Sequence, residues 1–380
     1  MTVALVGILL ATPLWQPSEA RAFGTINDLG QRAEHERITR IALGCPEGAP
    51  SNGECFEPLS LDQLAGKDGT FGAVGAPDSD DQILDSDAHC DDADFLDVPG
   101  YPQSRAEATR VLQSCINHLR DEFEDAVDEA DDLIDGDGTI EAFEVVIDPS
   151  CVFTGGIPGR AKCEVLQGLG RALHGVQDFY SHSNWADEAD PNQPISINNP
   201  PGLNLPAPSP LLNLRSKESV TPPPQLSTGF FKSPVPGEDV CPGVDGRITH
   251  ACLNKDKALI EAGAGGLASV SDPQTPRGQV LNNEQKAVNG AILESRRQWD
   301  DFRAAILEKY GQEHGTNILL ALTKDSPPVG SDGSGSGAPA PPPPPPIPGA
   351  PEVPSTNGVP AVPNAPNIPN IPGIPGLPRP

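Results

Sequence analysis

Residues 166–185 read LQGLGRALHGVQDFYSHSNW, and two periodicities run through them. Leu166, Leu169, Leu173, Val176 and Tyr180 recur at spacings of three and four, the one-sided apolar stripe of an amphipathic helix. His174, Asp178 and His182 recur at a spacing of four, which stacks their side chains one turn above another. At about 100° per residue the polar stripe falls opposite the apolar one. The pattern predicts a helix over residues 159–184. Imidazole and carboxylate groups on successive turns can converge on one zinc ion at ~2.0–2.2 Å. A solvent-facing polar stripe is the competing reading, and Arg171 on the same side fits it. Solvent faces are usually built from Lys and Glu, however, and the whole chain holds only seven histidines.

Outward from this stretch the same period recurs. Residues 29–43 carry Ile38, Ile41 and Ala42 at helical spacing. Residues 104–134 begin at Ser104, an N-cap with Glu107 three positions on, and run through Leu112, Cys115, Ile116, Leu119 and Phe123. Residues 282–310 carry Val288, Ile292, Trp299, Phe302 and Ile306, and a shorter apolar run follows at 318–322. Convincing strand alternation is absent. The expected class is therefore all-α, a helical bundle with long loops, as one domain over residues 23–325. The loop at 191–245 is rich in Pro, Asn and Ser and too long for an ordinary connection.

Composition sets the limits. Of 380 residues only 37% are hydrophobic and 4% aromatic, so a packed core has to occupy part of the chain. The formal charge of −28 leaves no basic footprint for nucleic acid or anionic lipid. Beyond the N-terminus no apolar run reaches the 18 or more residues of a membrane span. Residues 3–11 are apolar and Ala20-Arg21-Ala22 offers a small-x-small cleavage site, which reads as a signal peptide over 1–22 although its first residues lack Lys and Arg. Pro13 and Pro17 argue against a buried helix there. Eight cysteines, an even number, then imply disulfides in an exported, extracellular protein. Pairing in chain order is the simplest of about 105 connectivities, and no C-x-x-C spacing suggests a structural zinc. Residues 326–380 are Pro/Gly-rich, with an unbroken proline run at 341–346, and read as a disordered or polyproline-II tail.

Further candidate residues stand at other points. His35 lies on the Ile38/Ala42 face of its helix, open to two readings as core histidine or ligand. His89 stands beside Cys90 with Asp91, Asp92 and Asp94. One of these carboxylates is a candidate ligand or general base, Asp92 being the one chosen, and a plain acidic loop is the alternative. The stretch from Asp135 to Glu144 matches a calcium loop from its third position onward, with Leu133 where the first carboxylate belongs. No Walker loop, dinucleotide fingerprint, G-x-S-x-G elbow or H-E-x-x-H motif occurs.

The stretch LHGVQDFYSHSNW resembles the hallmark of the Het-C family. Residues 23–40 (FGTINDLGQRAEHERITR), 89–102 (HCDDADFLDVPGYP) and 174–189 resemble CinY-like secreted proteins more closely. The likeness spans roughly residues 23–325. These families are distantly similar to zinc-dependent phospholipases C and single-strand-specific zinc nucleases. That resemblance implies an all-α fold whose zinc is held by the freed amine of Phe23, by His35, by His174 and Asp178 as an H-x-x-x-D pair, and by His182. It implies a bridging imidazole from His118, for which a surface histidine is the alternative. The later H-x-x-x-E pair of those enzymes has no counterpart, since His250 and His314 lack the glutamate. Asp187 is the candidate to take that place. A zinc enzyme of this kind would hydrolyse a phospholipid or another phosphodiester, with Asp178 or Asp92 steering the attacking water. The competing class is a non-catalytic secreted recognition or structural protein that keeps the scaffold.

Overall fold

The computed structural model describes residues 25, 32–79, 82–153, 159–231, 241 and 245–329. The expected signal peptide, Phe23 and all of the Pro-rich tail beyond residue 329 lie outside the described residues.

The described chain is mainly helical, in the order α1 (Glu34–Leu43), α2 (Pro58–Ala65), α3 (Ser86–His89), α4 (Arg105–Glu129), α5 (Ala161–His182), α6 (His250–Leu253), β1 (Leu259–Ala262), β2 (Ala268–Ser271) and α7 (Asn283–Thr323). The expected stripe of α5 is buried, and so is the opposite one. Only Glu164, Gln167 and Arg171 of its residues escape burial. The reason is position: α5 is the central helix, packed against α4 on one side and α7 on another, with α3 across it. Gly175 makes that packing possible. A Cβ there would meet Leu119 Cδ2 at 2.5 Å and the Ala88 carbonyl at 2.7 Å, so α3 and α4 both press onto α5 beside His174.

α4 begins as its sequence predicts. The Ser104 hydroxyl accepts from the Glu107 N–H at 3.3 Å and the Glu107 carboxylate accepts from the Ser104 N–H at 2.9 Å, the reciprocal capping box. Its buried face, Leu112, Ile116, Leu119 and Phe123, meets α5 and α7, with Phe123 edge-on to Phe302 at 5.7 Å. α7 breaks at Gly311 (φ 79°, ψ 171°), a left-handed φ that a side chain would disfavour. The expected separate run at 318–322 is the piece after this break.

The hairpin β1–β2 corrects the expectation of no strands. Its strands are antiparallel, with Leu259 opposite Ser271 and Ala262 opposite Ala268. Four residues are too few to display alternation in the sequence. The Gln285 and Asn289 side chains of α7 hold β2 by accepting from the Val270 and Ala268 N–H groups at 3.0 Å.

All eight cysteines pair in chain order: Cys45–Cys55, Cys90–Cys115, Cys151–Cys163 and Cys241–Cys252. No helix among the described residues is long and apolar enough to cross a membrane.

The calcium-loop reading is not supported. Leu133, at the first ligand position, is buried in the core. Glu144, at the last, turns away to accept the Ala161 N–H at the start of α5 at 2.7 Å. Asp135 instead accepts from the N–H groups of Asp137 and Thr139 within its own turn.

Candidate metal centre

Five of the seven histidines gather in the interior with three aspartates, as two groups along the end of α5. The first group centres on Asp178. One oxygen, Oδ1, lies 3.2 Å from His35 Nε2. The other, Oδ2, lies 2.9 Å from His89 Nδ1 and 3.0 Å from His174 Nε2. His89 Nδ1 and His174 Nε2 are themselves 2.9 Å apart, and Asp78 Oδ1 stands 3.9 Å from His174 Nε2. The other oxygen of Asp78 accepts from the Thr25 hydroxyl. The second group joins His182, at the last turn of α5, to Asp91 and His250. His182 Nδ1 is 3.0 Å from Asp91 Oδ1, and the two Nε2 atoms of His182 and His250 are 3.0 Å apart. None of these eight residues is more than 6% exposed.

The protons decide what the first group can hold. The Val74 carbonyl lies 2.8 Å from His174 Nδ1 and can only accept, so Nδ1 carries the hydrogen. Burial also keeps the His174 ring below its ordinary pKa and neutral. Its Nε2 therefore presents a lone pair, and that lone pair faces a carboxylate oxygen at 3.0 Å. Two acceptors at that distance repel unless a cation or a proton from a neighbour stands with them. His35 is oriented the same way. The Gln177 amide donates to Thr39 Oγ1 and Ser295 Oγ at 3.0 Å, which leaves its oxygen to accept from His35 Nδ1 at 2.7 Å. In metal proteins such outer partners fix the tautomer of a ligating imidazole.

The charge balance points the same way. Asp78, Asp91 and Asp178 are buried, and among the described residues no Lys or Arg pairs with any of them. Uncompensated buried carboxylates cost several kcal/mol each, on the order given by ion desolvation. With no metal present, imidazolium has to compensate them. Burial alone would lower His89, but the Asp178 carboxylate overrides it and lifts the ring to about 9. Burial alone would raise Asp178, and the surrounding His174, His182 and His35 instead hold it well below the ordinary carboxylate range. A divalent ion replaces those protons with a fixed charge. The nitrogen and carboxylate donor set suits zinc, and equally other ions that accept imidazole; it does not select one.

The local sequence explains how His89 and Asp91 both turn inward. Cys90 adopts φ 54° and Asp92 φ 68°, so the chain reverses twice within three residues. Cys90 is tied to Cys115 of α4, which anchors the two donors that flank it. His250 begins α6, two residues before Cys252 of the fourth disulfide.

The structure brings together His35, His174 and Asp178, three of the residues read from the sequence as candidate ligands, and sets the fourth, His182, in the second group with Asp91 and His250 rather than on one ion with His174 and Asp178. It places His118 elsewhere, on the flank of α4, with Glu122 3.9 Å away; neither group contains it. Asp92 is next to the second group, but its Oδ1 accepts the Phe231 N–H at 2.9 Å. Burial and the neighbouring Asp91 push its carboxyl up to about 6. Asp187 does not take the place of the missing glutamate. Arg277 grips both its oxygens, at 2.8 and 3.0 Å, and buried Lys255 adds a third contact. Phe23 lies outside the described residues. Sequence reasoning left His89 undecided and passed over Asp78 and His250. A usable signal existed for the two histidines, since each stands within two residues of a cysteine that a disulfide fixes in place. Set beside family models, curated proteins and solved structures, the chain matches none of them.

Proposed function

We propose that this protein is an exported metalloprotein that holds zinc at two or more positions along α5 and hydrolyses a phosphodiester. The observation that carries the metal reading is the His174 lone pair aimed at the Asp178 carboxylate inside a buried, five-histidine cluster. His35, His89, His174, Asp178 and Asp78 would hold the first position, and Asp91, His182 and His250 the second. The likeness to zinc-dependent phospholipases C adds the amine of Phe23 and supplies the substrate class. Zinc bound there would polarise a phosphoryl oxygen and lower the pKa of a water. The chain's own part is to fix the donors: Gln177 and Val74 set the tautomers, and Cys90–Cys115 holds His89 and Asp91. Export is supported by the four disulfides and by the leader-like residues 1–22.

The near-complete burial of all eight donors favours a second reading, a non-catalytic protein in which the metal is structural. Elemental analysis of protein made through an export pathway tests the metal. Hydrolysis of bis-p-nitrophenyl phosphate and of choline phospholipid vesicles, lost with chelator and restored by zinc, tests the activity. Protein without metal overturns the first reading. Metal at two equivalents without hydrolysis leaves the structural one.

A further inference from the structure

Asp91 and His250 reach the second group without a long helix to place them. Asp91 lies in an irregular turn, and α6 has four residues. Something else has to set their separation. Asp94 stands three residues after Asp91, and Arg247 three residues before His250. Arg247 Nε lies 3.1 Å from both oxygens of Asp94, and its Nη2 also meets Asp94 Oδ1. Asp94 is fully buried. The guanidinium carbon sits over Phe230, 3.7 Å from the ring centroid. The Phe230 carbonyl accepts the His250 N–H at 2.9 Å, and its N–H donates to the Ile248 carbonyl at 2.9 Å. On the far side, Nη2 donates to Gln103 Oε1 at 3.1 Å while the Gln103 amide donates to the Asp92 carbonyl at 2.8 Å. One planar group thus ties together the three backbone segments that surround the second group.

We propose that Arg247 and Asp94 are positioning residues that set the spacing of Asp91 and His250 and so create the second metal position. The inference rests on the two-position reading above. Arg is suited to the task because its fork meets a carboxylate with two donors while its face stacks on an aromatic ring. Lys offers one point charge and no plane. The first position draws its donors from α1, α3, α5 and the turn at Asp78, and among the described residues Arg247 makes no hydrogen bond, ion pair or ring contact with any of them. The pair therefore acts on one position only.

The test is zinc stoichiometry and zinc release to a chromogenic chelator, for full-length exported wild type, Arg247→Met, Asp94→Asn and Arg247→Lys. Wild type is expected to release zinc in two phases. Arg247→Met and Asp94→Asn are expected to lose the faster-exchanging equivalent and keep the other, with helical circular dichroism unchanged. Arg247→Lys keeps the charge but loses the fork and the stacking, so it is expected to keep both ions and release one of them at least about tenfold faster, in the range typical of lost outer partners. This variant also decides the matter if Arg247→Met does not fold. Two release phases at wild-type rates in Arg247→Lys, or a full zinc complement in Arg247→Met, overturn the proposal. Equal weakening of both ions overturns it too, since the pair would then be a general brace. Wild type that carries no zinc removes the two-position reading itself and this inference with it.

Discussion

His174 and Asp178 stand one turn apart on α5, fully buried, with Nε2 3.0 Å from Oδ2 and the hydrogen of the ring already committed to Val74. A protein that buries this contact depends on what sits between the two groups. Metal that binds only the folded chain stabilises it by about 4 kcal/mol at a thousandfold excess over Kd. Chelator is therefore expected to lower the Tm of wild type by many degrees and that of His174→Ala little, the variant starting lower and metal-poor. Equal chelator shifts in the two proteins, followed by scanning calorimetry, would count against the centre.

Removing one disulfide should reach the metal. Cys90–Cys115 closes a separation of 25 residues, a loop for which chain entropy gives a stabilisation of about 3.5 kcal/mol. Because His89 and Asp91 flank Cys90, the double variant Cys90→Ser/Cys115→Ser is expected to lose metal as well as stability. Removing Cys45–Cys55, which has no donor beside it, is expected to cost stability with the metal retained. Urea titrations paired with elemental analysis separate the two effects. Identical metal content in both variants would show that the disulfide does not hold the donors.

Lys162 gives a pH signature. It is buried at the start of α5, and its ammonium donates to Ser60 Oγ and to the Lys324 carbonyl, both at 2.9 Å. Burial pushes its pKa down to about 8 from 10.5. Below pH 8 both folded and unfolded chains carry the proton, and the penalty of burying it is constant. Between about 8 and 10.5 the unfolded chain keeps the proton and the folded one sheds it, so stability rises with pH through that window. Wild type should gain on Lys162→Met by at most about 3 kcal/mol between pH 7.5 and 10.5. Urea unfolding of both proteins at the two pH values reads the gap, and a gap that stays constant would refute the assignment.

Asp256 should give the opposite slope. Its two oxygens are buried without a well-formed hydrogen bond, and burial pushes its carboxyl up to about 8. The folded chain then holds a proton that the unfolded chain has released from about pH 4 upward, so stability falls as pH rises toward 8. Asp256→Asn removes the acid and is expected to be more stable than wild type at pH 8 by more than about 1 kcal/mol, with the advantage shrinking toward pH 4. A destabilised Asp256→Asn at pH 8 would mean that the carboxylate has a partner.

The helices were legible because each announces itself locally. The stripes of α4 and α5, the Ser104–Glu107 cap and the break before the run at 318–322 all follow from neighbouring residues. The part of the centre carried by α1 and α5 was legible for the same reason. Asp78, His89 and His250 were not, because each sits in a turn or at the end of a short helix, placed by a disulfide or by contacts with residues remote in sequence, such as Thr25, 53 positions from Asp78. His118 shows the converse. It has helical spacing and a long helix beneath it, yet it points at Glu122 on its own helix. Asp187 had the right chemistry for a ligand, but Arg277 and Lys255, remote in sequence, had claimed it. The four-residue strands β1 and β2 were too short to write a pattern.

The last described turn of the chain has a consequence for how the protein is made. Asp325 accepts the Leu59 and Ser60 N–H groups at the start of α2, at 3.1 and 2.8 Å, while the Thr323 carbonyl takes the Glu57 N–H at 2.8 Å. These contacts span some 265 residues. As the chain leaves the ribosome, α2 is among the first helices to emerge and among the last to be completed. Its open N-terminus waits for nearly the whole domain. Cross-links that span 10 to 25 residues can close in passing, but the bundle itself cannot settle until synthesis is almost over, since contacts this distant form only after the intervening loop has been gathered in.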